Sequence, residues 1–427
     1  MSKYEILELP LKFDLENKAI LKQASLAHRQ LAELKGVART IPNENILIST
    51  LTLQEAKDSS EVESIVTTQD DLYRYEIKAE NFEKSPASKE VLKYREAIRT
   101  GFEKLRKGLP LTSNLIQEVQ SVLIGNTAGF RKVPGTELRD NFGNVIYQPP
   151  QDGNDVVRYM RNLEEFINRP EMADWDPLVK LAVIHHQFES IHPFYDGNGR
   201  TGRIVCILFL VVNGLLDLPI LYLSRYITQN KAEYYRLLQV VRDSNGAVAD
   251  WQAWVLFMLK GIEVTAAHTI TIVNGINRLM AEYKAVLRPE FGKSYRHELL
   301  NHLFYHPYTK IDHTTEALGV TRMTASAYLD KIVKLGLLSK FKVGRVNYYI
   351  NEKLVDLLVI TKNLQIVSDM YSKTPFLIQI SPNVHSKTAF AIHISTVMQS
   401  KTSFSLHEAG VMYKKTQFPL HENGDLL

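Results

Sequence analysis

Residues 204–212, Ile-Val-Cys-Ile-Leu-Phe-Leu-Val-Val, are hydrophobic without a break, and Asn213-Gly214 follow as a helix stop. A helix apolar on every face has no side to turn to water, so it must lie at the centre of its domain. The stretch before it is polar and chemically dense: positions 192–203 read His-Pro-Phe-Tyr-Asp-Gly-Asn-Gly-Arg-Thr-Gly-Arg. The central helix opens at Gly199, where free N–H groups and the positive end of the helix dipole favour an anion. Gly197 and Gly199 let the backbone approach that anion closely. Arg200 and Arg203, three apart, share a helix face and reach the same negative charge. Asp196 offers the hard oxygen that Mg²⁺ takes when it also holds phosphate oxygens. His192 is the one group here that takes up a proton near neutral pH. These parts add up to a phosphate site with a metal and a base.

Composition narrows the class. A chain of 427 residues, 45% hydrophobic, is long enough for two to three domains with proper cores. No unbroken apolar run approaches the ~20 residues of a membrane span, and the opening Met-Ser-Lys-Tyr-Glu has no signal-peptide pattern, so no membrane is expected. Cys206 is the single cysteine, which leaves no intrachain disulfide or thiolate metal cluster and fits a reducing cytoplasm. The net charge of +4 is too mild to argue for nucleic acid by itself.

Residues 192–203 satisfy every position of His-x-Phe-x-Asp/Glu-Gly-Asn-Gly-Arg-x-x-Arg, and the chain is identified on them as a member of the Fic domain family. A surface-paired, capped helix would leave the spacing of His192, Asp196 and the two arginines unexplained. The resemblance implies transfer of AMP from ATP to a Ser, Thr or Tyr hydroxyl of a target protein, the chain itself included. It implies that His192 deprotonates the hydroxyl and that Asp196 holds Mg²⁺. Gly197, Asn198 and Gly199 would cradle the phosphates, Arg200 and Arg203 bind the outer ones, and Thr201 and Gly202 complete the ATP-binding run. Tyr235, at the family's distance past the motif, would lie against the base.

Upstream, Ser59-Ser60-Glu61-Val62-Glu63-Ser64 resembles the family's inhibitory helix, Ser/Thr-x-x-x-Glu-Gly/Asn. Ser59 and Glu63 are four apart and face the same way if helical. The resemblance implies that Glu63 pairs with Arg203 and blocks the γ-phosphate, since an Arg–Glu pair removes the cation that the phosphate needs. Ser64 departs from the pattern: Gly and Asn tolerate the left-handed conformation that ends a helix better than serine does.

In chain order, residues 1–100 read as an N-terminal helical region carrying the inhibitory motif. It holds an extended start, a helix from Leu15 to Leu34 stopping at Gly36, a break at Ile41-Pro42, and a second helix capped by Asn43 or Asn45. Val91–Lys107 is a charged amphipathic helix. Residues 101–285 read as the catalytic core. Pro110 opens a helix, 130–150 form a β-hairpin about Asn/Gly, and Asp152–Asn168 is a helix. In Fic proteins a hairpin here is a flap that pairs with the target's backbone. Asp176-Pro177 starts a further helix with an apolar stripe of Leu178, Leu181, Ala182, His185 and Phe188. His185 and His186 point ~100° apart on that helix, so they are expected as core residues rather than zinc ligands.

Residues 290–355, with three helices and two strand-like runs about Gly344, resemble a winged helix-turn-helix. Between 296 and 350 there are eight Lys/Arg and four Asp/Glu, a difference of +4. Arg322, Lys331, Lys334, Lys340, Lys342 and Arg345 supply most of it, so DNA is one partner to consider and dimerisation another. Residues 356–427 form an appended tail in which Ser/Lys-Lys-Thr-x-Phe recurs every fourteen residues, at 372, 386, 400 and 414. The expected fold is mainly α: a helical Fic core with one β-hairpin flap and a C-terminal winged helix. The expected function is an ATP-dependent protein adenylyltransferase restrained by Glu63. Removal of AMP, transfer of another phosphate-containing group on the same scaffold, and a DNA-binding regulator are the rivals.

Overall fold

The computed structural model describes residues 4–76, 85–139, 142–343 and 345–359. Helix α1 (Lys18–Ala38) is capped by Asn17, whose side chain accepts from the N–H groups of Ala19 (2.9 Å) and Ile20 (3.0 Å). It runs through Gly36 rather than stopping there. A mid-helix glycine costs about 1 kcal/mol, and burial of Leu31, Leu34 and Ala38 on the same face offsets it. Asn43 caps α2 (Glu44–Val62) by accepting from Asn45 N–H at 3.1 Å. There follow α3 (Gln69–Glu76), α4 (Pro86–Arg106) with Ser85 as its cap, and α5 (Ser113–Ile124), closed by Gly125 at φ +82°. Strands β1 (Leu138–Arg139) and β2 (Val145–Tyr147) pair antiparallel, Leu138 opposite Tyr147, and form the expected hairpin.

Next come α6 (Gly153–Asn168), α7 (Pro177–Ile191), α8 (Asn198–Val212), α9 (Ser224–Gln229), α10 (Lys231–Asp243) and the 44-residue α11 (Val248–Phe291). Helix α8 is the central helix expected from its sequence: α2, α4, α5 and α7 pack around it, and Arg200–Leu210 are all buried. It starts one residue before Gly199, with Gly197 as its cap. Helix α7 is buried on every face from Leu178 to Ile191, which is wider than the stripe its apolar residues suggest, because it is sandwiched among α6, α8 and α11. By length and composition α11 is apolar enough to cross a membrane, unlike any unbroken run in the sequence. Yet 67% of its most apolar window is buried in the fold, against α1 and other helices, as in a core helix.

The C-terminal part holds α12 (His297–Tyr305), β3 (Tyr308–Lys310), α13 (Ile311–Leu318), α14 (Arg322–Lys334), β4 (Ser339–Val343) and β5 (Val346–Ile350). The three helices and two strands read from the sequence are present. Strand β3 is additional, and the antiparallel sheet has the order β3-β5-β4. This part rests on the N-terminal region. Tyr308 Oη donates to Asp70 Oδ1 (2.6 Å), and its ring centroid lies 5.1 Å from that of Tyr73. Of the six basic residues singled out above, Arg322 pairs with Asp312, Lys331 with Glu290 and Lys340 with Asp330, so at least half of that charge is met locally. The fourteen-residue repeats lie outside the described residues.

Where α4 crosses α8, a Cβ built on Gly101 would stand 2.5 Å from Leu208 Cδ1 and 3.2 Å from Val119 Cγ2. Overpacking such a crossing costs about 1–3 kcal/mol. Gly101→Val is therefore expected to lower the unfolding free energy by that amount, seen in urea denaturation as a lower midpoint with an unchanged m-value.

Candidate active site

The site is built where α7 ends and α8 begins. Helix α7 closes on His192, which adopts a left-handed conformation (φ +48°, ψ +60°) and donates its N–H to Phe188 C=O at 2.9 Å. A non-glycine residue in this region carries strain of about 1–2 kcal/mol, so its surroundings must hold it there. The loop from His192 to Gly197 is tied by Asn198. Its Oδ1 accepts from Phe194 N–H and its Nδ2 donates to Phe194 C=O, both at 2.8 Å. The Asn198 side chain is thus spent on shaping the loop. Gly197 sits at φ +78°, and a Cβ there would also lie 2.7 Å from Ile124. Thr201 and Gly202 turn into the fold. Thr201 is fully buried with its N–H given to Gly197 C=O (2.9 Å), and a Cβ on Gly202 would meet Glu189 Oε1 at 2.8 Å. Both residues lie in the packing of α8 on α7.

Both arginines of the motif are buried, and each has found an acid. Arg200 Nη1 donates to Glu90 Oε2 of α4 at 2.8 Å, with Asp196 Oδ1 at 3.8 Å from its Nη2. Arg203 donates from Nε to Ser59 Oγ (2.8 Å), and from Nη2 to Ser59 C=O (2.9 Å) and Glu63 Oε1 (2.8 Å). Ser59 and Glu63 therefore meet Arg203 together. The same Glu63 oxygen would lie 2.3 Å from a Cβ on Gly199, so its carboxylate rests against the first turn of α8. That is the place a helix N-terminus favours for an anion.

Helix α2 ends on Glu63 by a Schellman closure: Ile65 N–H donates to Ser60 C=O (2.9 Å) and Ser64 N–H to Glu61 C=O (3.0 Å). Ser64 takes the left-handed position at φ +64°. The residue that departs from the family pattern thus adopts the conformation the pattern requires. Polar residues of α2 are buried rather than solvated. Glu55 accepts from Tyr94 Oη (3.0 Å), Ser224 N–H (3.1 Å) and Ser224 Oγ.

Electrostatics follow the geometry. Burial pushes the Glu63 carboxyl up, but Arg203, Arg200 and Lys231 outweigh it, and its pKa is lowered below the ordinary glutamate value. Burial, then Arg242 and Arg131, bring His192 down to about 4, so the imidazole is neutral at physiological pH and able to accept a proton. Burial raises Glu189 to about 7 and Glu55 to about 8. His185 Nε2 bonds to Tyr234 Oη (2.9 Å) and His186 Nε2 contacts Leu238 C=O (3.3 Å), which makes both core histidines. Tyr235 is 40% exposed, its ring set edge-on to that of buried Tyr234 with centroids 5.1 Å apart.

Among the described residues no three His, Cys, Asp or Glu side chains cluster into a metal cage. Asp196, with an exposed side chain, is a single hard ligand. This fits Mg²⁺, which takes one or two carboxylates and completes its shell with phosphate oxygens and water. Three positions had no signal in the sequence: Arg131, Glu90 and Glu55. Each has a partner 60 or more residues away, as Arg131 has in His192 C=O at 2.8 Å.

The chain belongs to the Fic/DOC family. The Fic/DOC family N-terminal model matches residues 21–103, the Fic/DOC family model 110–210, and the C-terminal domain model of SoFic-like protein adenylyltransferases 279–354. Among curated relatives, a probable protein adenylyltransferase of Aquifex aeolicus is 28% identical over 209 residues, covering 48% of this chain and 62% of the relative. The protein adenylyltransferase fic-1 of Caenorhabditis elegans is 27% identical over 112 residues, 26% of this chain and 20% of the relative. The chain thus spans less than two-thirds of the length of either. A Fic family protein of Desulfovibrio desulfuricans G20 of known structure is 18% identical, with 78% of this chain and 96% of that one covered at a TM-score of 0.49.

Glu63 has a depressed pKa, so its contribution to stability is present above the unfolded glutamate value and is lost as pH falls through the lower folded value. Glu63→Gln is accordingly expected to lower stability at pH 7 by at least about 1 kcal/mol, and the gap to wild type should close below pH ~4. Ser64→Gly relieves the left-handed serine and should raise stability by up to about 1 kcal/mol. Chemical denaturation across pH measures both.

Proposed function

We propose that the chain is a protein adenylyltransferase that moves AMP from ATP to a Ser, Thr or Tyr hydroxyl of a target protein, and that Glu63 restrains it by occupying Arg203. The observation that carries this reading is the Glu63 carboxylate lying at once on Arg203 and against Gly199. An acid fills the place that the cation, the helix N-terminus and the backbone shape for a phosphate. The names of the related proteins and the family of the three matching models point the same way.

In this reading the neutral His192 imidazole takes the proton of the target hydroxyl as its oxygen bonds to the α-phosphorus. The bond from that phosphorus to the bridging oxygen breaks in line, and pyrophosphate leaves with the electron pair. The first turn of α8, with Gly197 and Gly199 admitting the phosphates, faces the developing charge. Arg200 and Arg203 hold the outer phosphates once Glu63 has withdrawn. Asp196 would hold Mg²⁺, which supplies neutralisation of the phosphate charges when bound. Tyr235 offers the ring on which the base lies, and the short β1–β2 hairpin offers a strand along which the target's backbone can run.

The decisive experiment is incubation with α-labelled ATP and Mg²⁺ of wild type, Glu63→Gly and Glu63→Gly/His192→Ala. Strong labelling of protein by Glu63→Gly alone is the expected outcome, with the double variant down by 10²-fold or more, on the order of a lost general base. Equal labelling by wild type would keep the chemistry and remove the restraint. No label from ATP or any other nucleotide donor would overturn the reading.

A further inference from the structure

The segment bearing the hairpin is tied at both ends to the turn that carries His192. At its start, Arg131, 1% exposed, donates from Nε to His192 C=O (2.8 Å) and from Nη2 to Ile191 C=O (3.1 Å), while its N–H donates to Pro193 C=O (2.8 Å). Lys132 N–H then donates to Tyr195 Oη at 2.9 Å. At its end, Tyr147 Oη donates to Ser190 C=O (2.8 Å), and Arg242 stacks on the Tyr147 ring (4.1 Å) and donates to Ser190 Oγ (3.1 Å). Four consecutive backbone carbonyls, from Ser190 to Pro193, are thus held by the two roots of the hairpin.

Among the described residues no carboxylate pairs with Arg131. Burying a guanidinium on carbonyls alone is costly, and a neutral amide would serve if the loop needed only a staple. What sets the place apart is the strained His192 at φ +48°, whose own carbonyl is the one held from Nε.

Resting on the adenylyltransferase reading, we infer that Arg131 is a positioning residue for His192, locking the left-handed turn that aims the imidazole. Because it does so from the root of the hairpin, a target that loads the hairpin bears directly on the base. Its charge acts as well: together with burial and Arg242 it disfavours the imidazolium. The link is mechanical at the carbonyl and electrostatic at the ring, and two substitutions separate these effects. Arg131→Lys keeps the charge and loses the two-pronged grip, whereas Arg131→Gln loses both.

The test is made on the full chain in the Glu63→Gly background. It measures the single-turnover rate of self-labelling with α-labelled ATP, the Kd for ATP, and the NMR titration of His192, assigned among the 13 histidines by its loss in His192→Ala. Both variants are expected to slow labelling on the order of 10-fold, as a misaligned reacting group does, with ATP affinity unchanged. Arg131→Gln is also expected to raise the His192 midpoint by about one unit, and Arg131→Lys to leave it in place. A rate and a His192 midpoint both unmoved in Arg131→Gln would overturn the inference, as would a change confined to ATP affinity. Should Arg131→Gln fail to fold, an undiminished rate in Arg131→Lys overturns it equally. If Glu63→Gly itself labels nothing, it is the adenylyltransferase reading that has failed, and the His192 titration alone then decides the role of Arg131.

Discussion

Burial of the Arg203 guanidinium is the constraint on which the rest depends. Arg203 lies in the first turns of the central helix α8, and it is 1% exposed. A cation so placed must be met by acceptors, because unmatched it would cost several kcal/mol. Ser59 and Glu63 meet it. That requirement places α2 against α8, explains why a helix with polar residues along its length is buried, and brings its C-terminal turn over Gly199. In the proposed reaction a phosphate and Glu63 are alternatives for one cation, so stability and restraint come from a single contact.

Helix α2 is held at more than this end. Glu55 joins it to α4 through Tyr94 and to α9 through Ser224, and Thr228 Oγ1 of α9 donates to Asp58 C=O at 3.0 Å. Burial raises the Glu55 carboxyl to about 8, against the pull of Arg203 and of the bonds it accepts from Ser224 and Tyr94. Helix α12 touches α2 as well, and Tyr308 reaches Asp70 just beyond it. Withdrawal of Glu63 therefore has the least to overcome if it is confined to the last turn, where Glu63 and Ser64 lie outside the helical hydrogen-bond ladder.

The electrostatics sort the acids and bases by neighbourhood rather than by residue type. Glu63 is depressed because two arginines and a lysine face it, whereas Glu189, one helix away and buried, is raised. His192 is kept neutral by burial and by two arginines that grip its surroundings, Arg242 at Ser190 and Arg131 at the His192 carbonyl. In the proposed reaction the imidazole is thereby free of its proton before the hydroxyl arrives.

Much of the site was legible in the sequence because its signals are local. The run 204–212 requires a buried helix, the glycines before it require an open N-terminus, and the 59–63 spacing requires one helical face; all three appear as expected. The caps at Asn43 and Asp176 are one-residue signals of the same kind. Strength of packing is not local, so Gly36 failed to stop α1 and α7 proved buried on every side. Strand β3, three residues long, exists only because β5 is there to pair with it. Asn198 was expected among the phosphate-cradling residues, and Arg131 carried no signal in the sequence. Only the fold, by bringing Phe194 to one and His192 to the other, decided what each side chain does. Sequence determined which chemistry is present and on which helix ends. Tertiary structure decided which charges are buried together, because the energy of a buried charge depends on neighbours that lie 60 to 144 residues away in the chain.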